Sequence, residues 1–188
     1  MYFERGFIIM DNNVLLLIDF QREYNTKGRS FYIKEIEESL GNAQSILRHA
    51  RKNKWTIIHV KHYNDLEFKN TEVFLKGNKY AEYIDEFIPL KTETEFEKNN
   101  YSCFSNEEFT AFLEKYKSEK IFVVGYNSRM CVLSTIIEGY HKGYKFYFVH
   151  DSSNAKADMI YTEKEIHGVM TSVLATFSQV VSTKEIVK

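Results

Sequence analysis

Two residues of this chain stand where reactive side chains belong. Asp19 directly follows the aliphatic run Val14-Leu15-Leu16-Leu17-Ile18, and Cys131 follows the polar turn Gly125-Tyr126-Asn127-Ser128. A carboxylate can take the proton of a thiol, and the resulting thiolate attacks carbonyl-type carbon. Each residue alone also has a plainer reading: a solvated carboxylate closing a strand, and a small buried hydrophobe. Position argues for more at Cys131. With Ser128 as N-cap, it falls in the first turn of a helix. Unpaired N–H groups and the positive end of the helix dipole there favour a thiolate and lower its pKa. The same N–H groups can hold an oxyanion.

The elements that must position these residues alternate between two periodicities. The run Val14–Ile18 reads as a strand buried on both faces, and residues 55–60 (WTIIHV) as a second,. Between them Ile33, Ile36, Leu40, Ala43, Ile46, Leu47 and Ala50 recur at helical spacing,. The stretch 63–90 is polar and aromatic with weak periodicity, and reads as a loop plus a short helix near 80–87. Residues 92–96 follow as a third, less apolar strand. Ser105 and Glu108 form a capping-box pattern ahead of Phe109, Phe112, Leu113 and Tyr116,. A fourth strand at 121–124, a helix at 129–141 and a fifth strand at 144–149 come next. Thr162 and Glu165 make a second capping-box pattern, with Ile166, Val169, Met170, Val173 and Phe177 as that helix's apolar side. Residues 179–182 read as a last short strand.

Strands alternating with helices imply right-handed crossovers and a parallel sheet covered on both faces. The expected architecture is a single-domain, three-layer α/β fold over residues 1–188. Its open parallel sheet has about six strands in the Rossmann-like order 3-2-1-4-5-6, too few units for a barrel. In that order the crevice beyond the carboxyl ends of strands 1 and 4 receives both Asp19 and Cys131.

Composition narrows the classes. The 188 residues are 44% hydrophobic with a formal net charge of -1, and the charges show no basic stripe, so neither nucleic acid nor a membrane surface is an expected partner. Two cysteines cannot build a disulfide framework,. The opening Met1-Tyr2-Phe3-Glu4-Arg5-Gly6 lacks the plan of a signal peptide,. The expected setting is cytoplasmic, and Asn100-Tyr101-Ser102 is then a chance glycosylation pattern. No G-x-G-x-x-G or Walker motif occurs, so nothing supports nucleotide binding.

Three segments, in order, carry a resemblance. Leu15-Leu16-Leu17-Ile18-Asp19-Phe20-Gln21 resembles the opening strand of isochorismatase-like cysteine hydrolases. Lys98 with Tyr101-Ser102-Cys103-Phe104 resembles the family's lysine segment. Val124-Gly125-Tyr126-Asn127-Ser128-Arg129-Met130-Cys131-Val132 resembles its cysteine signature. Gly143-Tyr144 and Asp151 fit the segment that follows. The resemblance runs from about residue 12 to residue 183.

It implies a catalytic triad of Asp19, Lys98 and Cys131, with Lys98 keeping Asp19 ionised or lowering the thiol pKa. It also implies a cis peptide at Tyr126-Asn127 and an oxyanion hole from the backbone N–H groups of Asn127 and Cys131. Family members are commonly homodimers or larger homo-oligomers. Isochorismatases proper cleave a vinyl ether without this cysteine, so Cys131 favours the amidohydrolase branch. The implied reaction is hydrolysis of a non-peptide C–N bond in a small molecule through a thioester. The alternatives are a hydrolase of the same fold acting on a non-amide bond, and an idle small-molecule-binding member.

Nicotinamidases of that branch carry an Asp-x-His metal motif, from which Lys61-His62-Tyr63-Asn64-Asp65 departs. His59 and His62, three apart on a strand, face opposite sides and cannot share an ion. The expectation is no metal and no cofactor, with His59 in the core and His62 at the pocket. Gln21, Tyr24, Phe104 and Tyr126 are the other candidates for substrate contact. Arg129 reads equally as a contact for an anionic substrate or as a solvated arginine. Cys103 suits packing, and His150 and Asp151 fit either a structural or a pocket role.

Overall fold

The computed structural model describes residues 12–64 and 72–187. The opening stretch Met1-Tyr2-Phe3-Glu4-Arg5-Gly6 and part of the 63–90 segment lie outside the described residues.

Strand β1 (Val14–Ile18) is buried along its whole length. Successive side chains point to opposite faces: Leu15 and Leu17 enter one apolar layer, and Val14, Leu16 and Ile18 the other. An unbroken aliphatic run is what a strand covered on both sides requires. It is joined by β2 (Thr56–His62), β3 (Thr94–Lys98), β4 (Ile121–Gly125), β5 (Phe146–Ser153) and β6 (Gln179–Val181). The order is β3-β2-β1-β4-β5-β6 and every pairing is parallel, as the alternation of elements predicts. Strand order reverses between β1 and β4.

After β1 comes the single turn α1 (Arg22–Asn25), then α2 (Glu37–Lys52), whose Leu40, Ala43, Ile46, Leu47 and Ala50 cover one face of the sheet. Helices α3 (Glu107–Glu114), α4 (Cys131–His141) and α5 (Glu163–Leu174) cover the other, and α6 (Thr183–Ile186) closes the chain on the α2 side. Among the described residues, no helix is long and apolar enough to cross a membrane.

Several local expectations are corrected. The cap of α3 is Asn106, whose side chain accepts from Phe109 N–H, while Ser105 ends a 3-10 turn (Cys103–Ser105) and bonds back to the carbonyl of Ser102. The short helix near 80–87 is two 3-10 turns, Lys79–Ala81 and Asp85–Phe87. The third strand sits two residues later than its apolar pattern suggests. It is an edge strand whose Glu95 and Glu97 face solvent, and it runs on until Lys98 pairs with His62,. The Thr162–Glu165 capping box forms as read. However, Val169 and Val173 lie on the outer side of α5, at 58% and 37% exposure, while Ile166 and Leu174 do the packing.

The approach of β4 to β1 depends on one glycine. Gly125 has φ +139°, and a Cβ there would stand 2.1 Å from the carbonyl oxygen of Ile18. Only glycine lets the two strands meet at the point where their order reverses.

Candidate active site

The sheet delivers three chemical groups at strand ends and a fourth at the start of the helix after β4. Asp19 follows β1 with φ +56°, a left-handed conformation that aspartate tolerates better than most residues,. Its N–H bonds to the carbonyl of Val60 and its carbonyl accepts from Gln21 N–H. Lys98 ends β3 and His62 ends β2, directly paired in register. Cys131 is the first residue of α4, past β4. The peptide bond Tyr126-Asn127 is cis, as the resemblance implies.

These residues converge. Lys98 Nζ donates to Asp19 Oδ2 at 3.0 Å and lies 3.3 Å from His62 Nδ1. Reactive atoms of Asp19, His62 and Cys131 all lie within 4.8 Å of one another. Asp19 Oδ1 is buried and, among the described residues, has no hydrogen-bond partner. The carboxylate thus has one oxygen clamped by a cation and the other without a partner, in a cluster that holds a thiol.

Charge is held in a definite state. Burial works to lower the pKa of Lys98, but the charge of Asp19 and its hydrogen bond oppose this and the net shift is upward, so the ammonium persists,. For Cys131 the structure corrects the sequence expectation. Burial pushes its thiol well above the ordinary range, the negative charge of Asp19 adds to this, and Lys98 offsets only part. Burial and the Asp19 charge together outweigh the cation here, so the resting residue is a thiol. Cys103, fully buried, is pushed up to about 12, chiefly by burial.

The spacing of Asp19, His62 and Cys131 would suit a metal ion, but the donor set does not. The Lys98 ammonium already stands against both Asp19 and His62, and a second cation there would meet its repulsion,.

Cys131 and His62 open onto a cavity of about 280 Å³ whose walls include Tyr24, Phe31, Phe74 and Met130. Tyr24, Phe31 and Phe74 form an aromatic corner, with centroids 5.2–6.1 Å apart and planes steeply inclined. Buried Glu23 fixes that corner, since its carboxylate takes Arg29 at 2.6 and 2.9 Å and Phe74 N–H at 3.3 Å. Sequence reasoning missed Phe31, Asn64, Phe74 and Tyr101 as lining residues, because they come from loops without periodicity.

Other candidates go elsewhere. The amide of Gln21 takes His62 N–H at 2.9 Å and donates to the carbonyls of His62 at 2.9 Å and Ala81 at 2.5 Å. It continues the ladder of β2 where β1 has turned away, and positions His62 instead of lining the cavity. Phe104 packs on Phe109, Tyr144 and Phe146. Tyr126 is fully buried against Phe20 and Tyr24, with its hydroxyl 2.9 Å from Ser39 Oγ. Ser128 does not cap α4; its hydroxyl lies 3.0 Å from His167 Nδ1, and Met130 occupies the cap position.

Arg129 pairs with Asp158 at 3.0 Å. Asp151 takes the N–H and hydroxyl of Thr183 at 2.8 Å, and the carbonyl of His150 is 2.9 Å from His167 Nε2. His59 sits in the core, 2.9 Å from Glu93. Cys103 is tied to α4, for its N–H donates to Thr135 Oγ1 and that hydroxyl donates to the carbonyl of Cys131. The Asn127 side-chain amide accepts from Arg129 N–H, while its buried Nδ2 has no partner among the described residues.

A doubly wound parallel sheet thus brings a carboxylate, an ammonium and a thiol together at its switch point. Residues 13–185 match the family model described as the Isochorismatase domain, and the chain belongs to that family. It is 28% identical to the "Secreted isochorismatase effector Isc1" of Verticillium dahliae, over 93% of this chain and 90% of that protein. It is 24% identical to "Nicotinamidase 3" of Arabidopsis thaliana, over 74% and 71% respectively. An isochorismatase from Pseudomonas putida KT2440 superposes with a TM-score of 0.81 at 25% identity, covering 94% of this chain and 91% of the other.

Proposed function

We propose that this isochorismatase-family protein is a cysteine-dependent hydrolase that cleaves the C–N bond of a small, non-peptide amide through a thioester on Cys131. The observation that carries the reading is the open Asp19 Oδ1. It is buried and, among the described residues, unpartnered, on a carboxylate that has an oxygen within 4.8 Å of the Cys131 thiol and whose Oδ2 Lys98 holds at 3.0 Å.

The thiol proton passes to Asp19 as Sγ attacks the carbonyl carbon. Because the resting thiol pKa is raised, this transfer accompanies attack. The oxyanion is held by the backbone N–H groups of Asn127 and Cys131. The C–N bond breaks as Asp19 returns its proton to the departing nitrogen. Water then adds to the thioester, the C–S bond breaks, and the released carboxylic acid leaves a protonated Cys131. Lys98 holds Oδ2 of the base at 3.0 Å. The aromatic corner and the cavity of about 280 Å³ suit a compact, flat acyl group,, and the nicotinamidase among the relatives is named for such an amide.

The test is intact-protein mass spectrometry after rapid acid quench with nicotinamide, benzamide and acetamide, alongside ammonia release. Expected is an acyl adduct mapped to Cys131, absent in Cys131→Ala and slowed in Asp19→Asn. Turnover that survives Cys131→Ala would overturn the reading.

A further inference from the structure

The register of β2 and β3 pairs His62 with Lys98, so the two side chains rise from neighbouring strands on one face. Lys98 Nζ lies 3.3 Å from His62 Nδ1. An ammonium offers only N–H donors, so that ring nitrogen must present its lone pair. The far side of the ring is equally constrained. His62 Nε2 is 2.9 Å from Asn64 Oδ1, and Asn64 Nδ2 donates to the carbonyl of Val73 at 2.7 Å. That bond turns the amide oxygen toward the ring, and Nε2 therefore carries the proton.

We infer that His62 is a positioning residue, acting as a neutral Nε2–H imidazole that accepts a hydrogen bond from Lys98 and thereby fixes which oxygen of Asp19 the ammonium clamps. The inference rests on Asp19, Lys98 and Cys131 being the reacting groups. With two fixed acceptors, His62 Nδ1 and Asp19 Oδ2, the ammonium leaves Asp19 Oδ1 open for the thiol proton. Without the imidazole it can swing across both carboxylate oxygens, which weakens Asp19 as a base. The same relay reaches the cavity wall, since Asn64 N–H donates to the carbonyl of Phe74 at 3.0 Å.

The ring is faced by Lys98 from β3, Asp19 from the end of β1, Cys131 from α4, the Asn64 amide, and the Phe74 ring edge-on at 5.4 Å. Asp19 favours an imidazolium, but Lys98 is in direct contact and opposes it. Protonating His62 sets two cations 3.3 Å apart in a buried site,. The contact then breaks, and turnover falls on the acid side.

Two measurements test this. Imidazole 15N NMR of the resting protein reads the tautomer without substrate. A neutral Nε2–H ring through neutral pH is expected, whereas an Nδ1–H tautomer or an imidazolium there overturns the inference. The second is kcat and KM against pH, on whichever amide acylates Cys131, for His62→Leu and His62→Asn. Asparagine places an amide oxygen near Nδ1 and cannot titrate. His62→Leu should lower kcat about ten- to a hundredfold, the scale of one lost bond to a charged group. His62→Asn should restore most of that loss and move the acid limb to lower pH. Equal losses in both variants, or an unmoved acid limb, overturn the inference. A wrong tautomer in a protein whose Cys131 still acylates sinks this inference alone. Failure of Cys131 to acylate with any of the amides, with the expected tautomer present, sinks the functional reading on which it rests.

Discussion

Lys98 Nζ and Asp19 Oδ2 are 3.0 Å apart across 79 residues of chain, and neither side chain has any exposed surface. Each buried charge is tolerable because the other compensates it. The pair is therefore both the electrostatic centre of the site and a condition for the strand ends to pack as they do.

Removing one member should cost more than removing both. Lys98→Met leaves a bare buried carboxylate and should destabilise the fold by about 3–5 kcal/mol. The double variant Asp19→Asn, Lys98→Met should recover most of that loss in urea denaturation. Strictly additive losses would show that the pair is not the compensated unit described above.

The Cys131 thiol should alkylate sluggishly at neutral pH and faster above the ordinary thiol range. Asp19→Asn should move its midpoint down and Lys98→Met should move it up, because Asp19 raises and Lys98 lowers that pKa. Iodoacetamide rates followed by peptide mass spectrometry give both midpoints, and a wild-type midpoint below that of a free thiol would contradict the burial argument. Cys103, fully buried and not on the cavity wall, should alkylate last.

Acid stability should depend on Glu93. Burial opposes its charge, but His59 at 2.9 Å, Arg51 at 2.7 Å and the N–H of Leu90 at 2.9 Å bring its pKa down to about 2. A depressed folded-state value adds stability above the ordinary carboxylate range, which is lost as pH falls toward about 2,. Glu93→Gln should therefore be less stable than the wild type near neutrality, with the gap narrowing on acidification. A gap constant with pH in denaturant titrations would show that the network adds nothing through charge.

Gly125→Ala should be among the most damaging single changes. The added methyl meets the carbonyl of Ile18 at 2.1 Å, on a backbone with φ +139°. A loss of about 3 kcal/mol or more is expected, from overpacking plus strain. Thermal unfolding checks it, and a loss below about 1 kcal/mol would mean that β1 and β4 can part without consequence.

Much was legible without a structure. The unbroken run Val14–Ile18 can only be a strand covered on both faces, and its alternation with helical periodicities dictates a parallel sheet. From that order alone, Asp19 and Cys131 fall on the same crevice. The Thr162–Glu165 box was readable because capping is local, decided by residues three apart. Asn106 took the cap expected of Ser105 because a 3-10 turn, invisible in the pattern, shifted the helix start by one residue. Val169 and Val173 looked like core because helical spacing gives a face without saying what stands opposite it.

The sequence by itself determined the alternation of strands and helices, the strand end that holds the carboxylate and the helix start that holds the thiol, because these follow from periodicity. The order 3-2-1-4-5-6 was the common doubly wound arrangement, which the structure bears out,. Tertiary structure alone decided how charge is distributed among them. The raised thiol of Cys131, the open oxygen of Asp19 and the His62–Lys98 contact all depend on what is buried against what. So did the aromatic corner of Tyr24, Phe31 and Phe74, which joins two aperiodic loops. Desolvation and register act between residues that no local pattern connects.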